Sequence, residues 1–160
     1  VKARVALIER HRMGGDCLNT GCVPSKALIR SARLIADARD SARLGIRSVT
    51  ADYDFADVME RVQRVVAAVE PHDSVERYTG LGVDCIRGDA RIVSPWEVEV
   101  DGRRIRARSI IVATGARPTV PDLPGLAGVA YLTSDTVWSL RERPGRLLVL
   151  GGGPIGCELA

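Results

Sequence analysis

Apolar and polar positions along the chain divide it into strand-like and helix-like segments. The opening run "VKARVALIER" reads as a strand whose apolar stretch stops at Glu9. In "PSKALIRSARLIADARDSARLG", Leu28, Ile35 and Ala38, with Ala27 and Ala42 beside them, recur at helical spacing. Pro24 suits the first turn of that helix, and Gly45 stands where the residue just past a helix end belongs. A second helix is predicted from about Phe55 to Val69, with Val58, Val62, Val65, Val66 and Val69 in one stripe, ended or kinked at Pro71. Short strand patterns follow: "VDCIR", "ARIV", "WEVEV", then Asp101-Gly102 as a hairpin turn and the run "RRIRARSIIVAT". Beyond a Pro-rich link, "ARPTVPDLPGLAG", the pattern predicts a short helix near Ser134 to Leu140, a strand "RLLVL", a Gly-rich turn and the start of a helix. No repeat of solenoid period and no low-complexity tract interrupts this alternation.

Composition narrows the class. A chain of 160 residues that is 46% hydrophobic and 27% charged can bury one core of ordinary domain size, or parts of two. Its longest apolar runs, around "SIIVATGA" and "RLLVLGGG", are far shorter than the roughly twenty residues a membrane-crossing helix takes. No charged, apolar and small-residue series of the secretory type opens the chain, so a cytoplasmic location is expected. The net charge is +3, with Arg scattered among acids and not massed with aromatics, so nucleic acid is not an expected partner. Nearly all the basic residues are Arg; Lys2 and Lys26 are the exceptions, and Lys26 lies four residues past Cys22.

The cysteines stand at 17, 22, 85 and 157, too few and too uneven for a small secreted disulfide scaffold. In a reducing compartment a close pair is more often catalytic or metal-binding than structural. Zinc would require two more ligands at finger-like spacing, which His11 and His72 do not supply, so no metal ligands are assigned. A disulfide needs Cα atoms within roughly 4.4–6.8 Å, closer than residues five apart in a regular helix. The chain between Cys17 and Cys22 must therefore turn, and Asn19 and Gly21 suit that. With a helix starting near Pro24, Cys22 falls at its positive end, the environment of a reactive cysteine. Spacing alone leaves three readings open: a structural disulfide, two quiet thiols, or a working dithiol. Cys85 and Cys157 read as small buried residues.

Near the end, Gly151, Gly153 and Gly156 stand in G-x-G-x-x-G spacing directly after a buried-strand pattern. The first glycine permits a tight turn, the second lets backbone approach a pyrophosphate, and the third lets helix pack on strand, with the helix N-terminus facing the phosphates. The residue that would separate NADH from NADPH belongs roughly twenty positions further on. Glu9, an acid at a strand end, is where a Rossmann-type fold hydrogen-bonds a ribose, although the Gly-rich turn expected before it is not in the chain.

"GGDCLNTGCVPSKAL", followed far downstream by "IIVATGARP" and then "GGGPIGCELA", resembles the pyridine nucleotide-disulfide oxidoreductases, in particular the mercuric reductase-like and dihydrolipoamide dehydrogenase-like branch. The resemblance covers essentially the whole chain. It implies an α/β fold: a Rossmann-like FAD-binding domain over 1–145 with a small antiparallel β insertion, then the start of a second Rossmann-like, NAD(P)-binding domain over 146–160. It also implies an enzyme that passes electrons from NAD(P)H through FAD to a Cys17–Cys22 disulfide, and on to a lipoyl or small-molecule disulfide or Hg(II). By the match, Cys17 is the interchange thiol and Cys22 the flavin-side, charge-transfer thiol. Lys26 sits by the flavin and pairs with Glu158, where a compact ammonium serves better than a planar guanidinium. Glu9, Gly14, Gly15, Asp16, Cys17, Lys26, Ala90, Thr114, Gly115 and Ala116 match FAD-contacting positions, and Gly151, Gly153 and Gly156 the nicotinamide-nucleotide turn.

One position departs from the family pattern: the better-known members have Gly-Gly-Thr-Cys, and here Asp16 precedes Cys17. A carboxylate there repels a pyrophosphate and works against a charged sulfur beside it, which bears on the substrate more than on the cofactor. The resemblance places the first Gly-rich FAD turn upstream of Val1, and the rest of the nicotinamide domain and a dimerisation domain with a His-Glu pair beyond Ala160. The parent protein is therefore expected to be a homodimer, and the chain alone to bind FAD poorly and turn nothing over. The alternative is a non-catalytic nucleotide-binding or dithiol redox-sensing module.

Overall fold

The computed structural model describes residues 3–160; Val1 and Lys2, the first two positions of the predicted opening strand, lie outside them. The chain forms two compact units: one from the N-terminal segment to Gly15 together with Val69–Ala116, the other from Asp16–Ala68 with Arg117–Ala160.

In the first unit, β1 (Val5–Glu9) pairs in parallel with β2 (Val83–Arg87), in register from Val5↔Val83 to Glu9↔Arg87. A short helix, α4 (Val75–Gly80), precedes β2, and the Ser74 hydroxyl caps it by accepting from Arg77 N. A separate antiparallel sheet runs β3 (Ala90–Ser94), β4 (Glu97–Val100), β5 (Arg103–Arg106). Its alternation is that of a half-buried sheet. Val98 and Val100 are buried, while Glu97 and Glu99 on the other face meet Arg91 and Arg104 across the strands, at 3.1 Å for Arg91–Glu99. The Asp101-Gly102 turn has φ of 48° and 81°, positive at both central residues, as a two-residue hairpin demands; Val100↔Arg103 closes it.

The second unit is helical. α1 (Gly15–Asn19) leads into α2 (Cys22–Arg39), and a 3-10 turn over Ser41–Leu44 ends at Gly45 with φ of 75°. α3 (Phe55–Val69) occupies the predicted span, and Pro71 lies in the 3-10 turn that ends it. Its stripe is sorted by burial: Val62 and Val66 are buried, with Met59 beside them, and Val58, Val65 and Val69 are half-buried. Ala27 from α2, Met59 and Val62 from α3, and Trp138 make the core cluster, with Leu28, Phe55, Val65, Val137, Leu140 and Leu159 packed on it. Arg61 fastens α3 to α2, its Nη1 donating to Ala27 O at 2.8 Å and Ser31 Oγ at 3.2 Å.

α2 begins at Cys22 and holds Pro24 buried in its first turn, the place expected for it. Other expectations are corrected. The predicted helix near Ser134 to Leu140 is only a 3-10 turn, Val137–Ser139. The runs over 109–114 and 146–150 are not strands: among the described residues they have no ladder partner. Ile111 is 90% exposed and Leu148 83%. Continuous apolar runs of this kind belong to strands covered on both faces, and an extended segment without a neighbour forms no ladder.

Candidate functional site

The cysteine segment is shaped by a break between two helices. Cys17 lies on α1, whose Leu18 is 2% exposed and anchors it. Thr20 N closes onto Asp16 O at 2.9 Å, and at Gly21 the backbone leaves helical geometry (φ −115°, ψ −109°). A Cβ on Gly21 would stand 3.0 Å from Asp16 O, a tight contact that the backbone at Asp16 would have to give way to, so this reversal favours glycine. Cys22 then opens an 18-residue helix, where exposed backbone N–H groups and the helix dipole favour negative charge. Both cysteines are exposed. The turn inferred from their spacing is thus the two-residue gap, Thr20 and Gly21, between α1 and α2.

Four residues past Cys22, Lys26 Nζ donates to Glu158 Oε1 in an ion pair. Ser25, 6% exposed, joins both ends of this arrangement: its hydroxyl donates to Cys22 O at 3.3 Å and accepts from Lys26 Nζ at 3.4 Å. The hydrogen bond from Lys26 above all, with the Ser25 hydroxyl close by, holds the Glu158 carboxyl below the usual glutamate range. Glu158 lies on α5 (Pro154–Leu159), directly after the glycine turn. A Cβ on Gly156 would overlap Gly151 O, so the third glycine is what lets this helix fold back on the turn. Gly151, Gly152 and Gly153 are exposed, and a Cβ on any of them would meet nothing within 4 Å. The turn therefore presents open backbone, the form a phosphate-binding turn takes.

The remaining candidates lie in the first unit or at its edge. Glu9 ends β1 half-buried; its Oε1 accepts from His11 N at 2.7 Å and its carbonyl from Gly88 N at 3.2 Å. Gly14 and Gly15 follow with φ of 84° and 55°, and Asp16 opens the first turn of α1. Ala90 starts β3, while Thr114, Gly115 and Ala116 are exposed in irregular chain, with φ of 70° at Gly115. Cys85 and Cys157 are not the buried residues expected: Cys85 is half-buried and Cys157 exposed, its thiol 3.5 Å from Gly152 O. α5 is too short to cover it, and no residue of that helix is buried. Sequence reasoning passed over Trp138 and Ser25; the only signal for Trp138 was its type, since a buried indole N–H requires an acceptor.

The family model of the pyridine nucleotide-disulphide oxidoreductases matches residues 1–160. The chain belongs to that family. It is 37% identical over 157 residues to a mercuric reductase of Staphylococcus aureus, covering 98% of this chain and 29% of that protein. It is 36% identical over 174 residues to a dihydrolipoyl dehydrogenase of Bacillus subtilis, covering 98% of this chain and 36% of the relative. Among solved structures it resembles the Cu(II) complex of the HOCl-induced flavoprotein disulfide reductase RclA from Escherichia coli, with a TM-score of 0.77 and 30% identity over 99% of this chain and 33% of that one. The fold is accordingly the α/β fold of this family, small antiparallel sheet included, and the chain spans about a third of the length of these relatives. Among the described residues no helix is long and apolar enough to cross a membrane.

Proposed function

We propose that the protein to which this chain belongs is a FAD-dependent oxidoreductase that carries electrons from NAD(P)H to a Cys17–Cys22 disulfide and on to a disulfide or thiophilic metal-ion substrate. The observation that carries the reading is the Lys26–Glu158 ion pair, which ties the helix opened by Cys22 to the helix that follows the glycine turn. Open backbone at Gly151 and Gly153, closed from behind by Gly156, fits a dinucleotide pyrophosphate. FAD, when bound, supplies the two-electron chemistry. By family resemblance Glu9, Gly14, Gly15, Asp16, Cys17, Lys26, Ala90, Thr114, Gly115 and Ala116 contact it; residues 1–145 then form the FAD domain, and 146–160 begin the NAD(P) domain.

The dithiol's own chemistry is thiol–disulfide exchange. The Cys17 thiolate attacks a substrate disulfide, forming a mixed disulfide and releasing one thiol. Cys22 then attacks Cys17 sulfur, the second substrate thiol leaves, and the two protons lost by the cysteines end on the two products. Exposure of both cysteines supports access to such a substrate. Lipoyl groups, small disulfides and Hg(II) are the substrate classes that the named relatives support, and a cytoplasmic homodimer is the form that the resemblance favours.

The test is the visible spectrum of the full-length protein, oxidised and then after anaerobic two-electron reduction by NADH or NADPH. A long-wavelength charge-transfer shoulder that appears on reduction and is absent in Cys22→Ser is expected. A bound flavin that bleaches with no shoulder would uncouple the dithiol from it and leave the redox-sensing reading.

A further inference from the structure

Trp138 belongs to none of the motifs, yet it touches the segment on which the dithiol reading depends. Its side chain is 6% exposed, in the cluster with Ala27, Met59 and Val62. The indole N–H is shared between two carbonyls. One is Ser134 O, at 2.7 Å in its own turn; the other is Thr20 O, at 2.9 Å and 118 positions away in sequence. Thr20 lies between the two cysteines, in the gap where α1 has ended and α2 has not begun. Arg141 holds the far side of the same turn, its Nη1 donating to Trp138 O at 3.3 Å and Leu140 O at 2.9 Å.

The geometry points to Trp138 as a positioning residue for the dithiol: its indole N–H pins the Thr20 carbonyl, and with it the placement of Cys17 relative to Cys22. The inference rests on the dithiol reading above. Closing the S–S bond must draw in the loop that holds Thr20, and a hydrogen bond that differs in strength between the open and closed loop biases the equilibrium by that difference. Trp138 touches neither sulfur in this account. It acts through the backbone between them, and so on the dithiol–disulfide equilibrium.

The experiment measures that equilibrium in the FAD-loaded full-length protein, poised in reduced and oxidised glutathione, with the peptide containing Cys17 and Cys22 read by differential alkylation and mass spectrometry. The exchange balances: the two cysteines give up two electrons and two protons to close one S–S bond, and one glutathione disulfide becomes two thiols. Trp138→Phe keeps an aromatic ring in the cluster and removes the donor. It is expected to shift the equilibrium constant for disulfide closure by up to about tenfold, the worth of one such hydrogen bond, which moves the potential by up to about 30 mV. Val65→Ala, on α3 and packed against the same cluster, is expected to lower stability and leave the equilibrium within about twofold. Should Trp138→Phe fail to fold, genetically incorporated β-(3-benzothienyl)alanine at position 138 keeps the bicyclic shape without the N–H and is expected to give the same shift. A folded variant without the donor whose equilibrium matches wild type overturns the proposal. So does Val65→Ala moving it as far, since packing alone would then suffice. Failure of the wild-type pair to equilibrate with glutathione at all is a separate outcome and removes the dithiol reading itself.

Discussion

Two stretches of the second unit hold the residues on which the proposed chemistry depends, and they are held in opposite ways. Around the cysteines the chain is nailed down: Leu18, Pro24, Ser25 and Ala27 are all buried, and both Arg61 and Trp138 donate to backbone carbonyls there. The glycine turn and α5 bury no residue; the Lys26–Glu158 pair and the half-buried Leu159 fasten them. Exchange between two sulfurs needs fixed geometry in the free protein, whereas a turn that takes a nucleotide can leave backbone groups open for the ligand to satisfy. Packing specifies the first stretch, and the second keeps its backbone open.

The largest blow to this contrast is Met59→Ala. Met59 is 1% exposed at the floor of the cluster beneath α2, and its truncation is expected to cost about 3 kcal/mol in denaturant unfolding, with the reactivity of the cysteines toward a thiol reagent rising as the segment loosens. Gly21→Ala comes next. Its Cβ presses on Asp16 O, and an expected loss of about 1–2 kcal/mol should be visible as a lower melting temperature together with slower disulfide closure. Gly156→Ala sharpens the other half. The overlap with Gly151 O must displace the turn or α5, which carries Glu158 and Leu159, so a nicotinamide-nucleotide titration of the full-length protein should weaken.

The smallest effect is electrostatic. Because the folded Glu158 carboxyl is held below its ordinary value by Lys26 and Ser25, the pair's stabilisation is present above the ordinary glutamate pKa of about 4.3. It is lost as pH falls through the lower, folded value. Both side chains are substantially exposed, at 60% and 36%, so solvent screens the interaction. Lys26→Met is expected to remove this acid-side dependence in a pH series of melting temperatures and to change little at neutral pH.

Much of this was legible in the chain, and the reason differs by element. α3 showed itself through a valine stripe at helical spacing, and the β4–β5 hairpin through Asp-Gly between alternating runs; in both, nearby residues decide the structure. The pair Cys17 and Cys22, with Gly21 between them, announced a turn because residues at that spacing cannot meet on a regular helix. The runs over 109–114 and 146–150 were misjudged because an apolar run records a preference for cover but not who supplies it. Cys157 was misjudged for a related reason: burial of a small thiol depends on the length and company of its helix, and α5 is one and a half turns. Trp138 was invisible because its partner is a backbone carbonyl 118 positions away, which no local pattern encodes.

The chain's two tryptophans divide between its two units, Trp96 at 56% exposure in the first and Trp138 at 6% in the second. A wet indole emits at longer wavelength than a dry one, so the chain has a two-colour gauge built in. Excited together, the red edge follows the antiparallel sheet and the blue edge the helices around the cysteines. A titration with denaturant would show, without any added label, whether the two colours change at one concentration or at two.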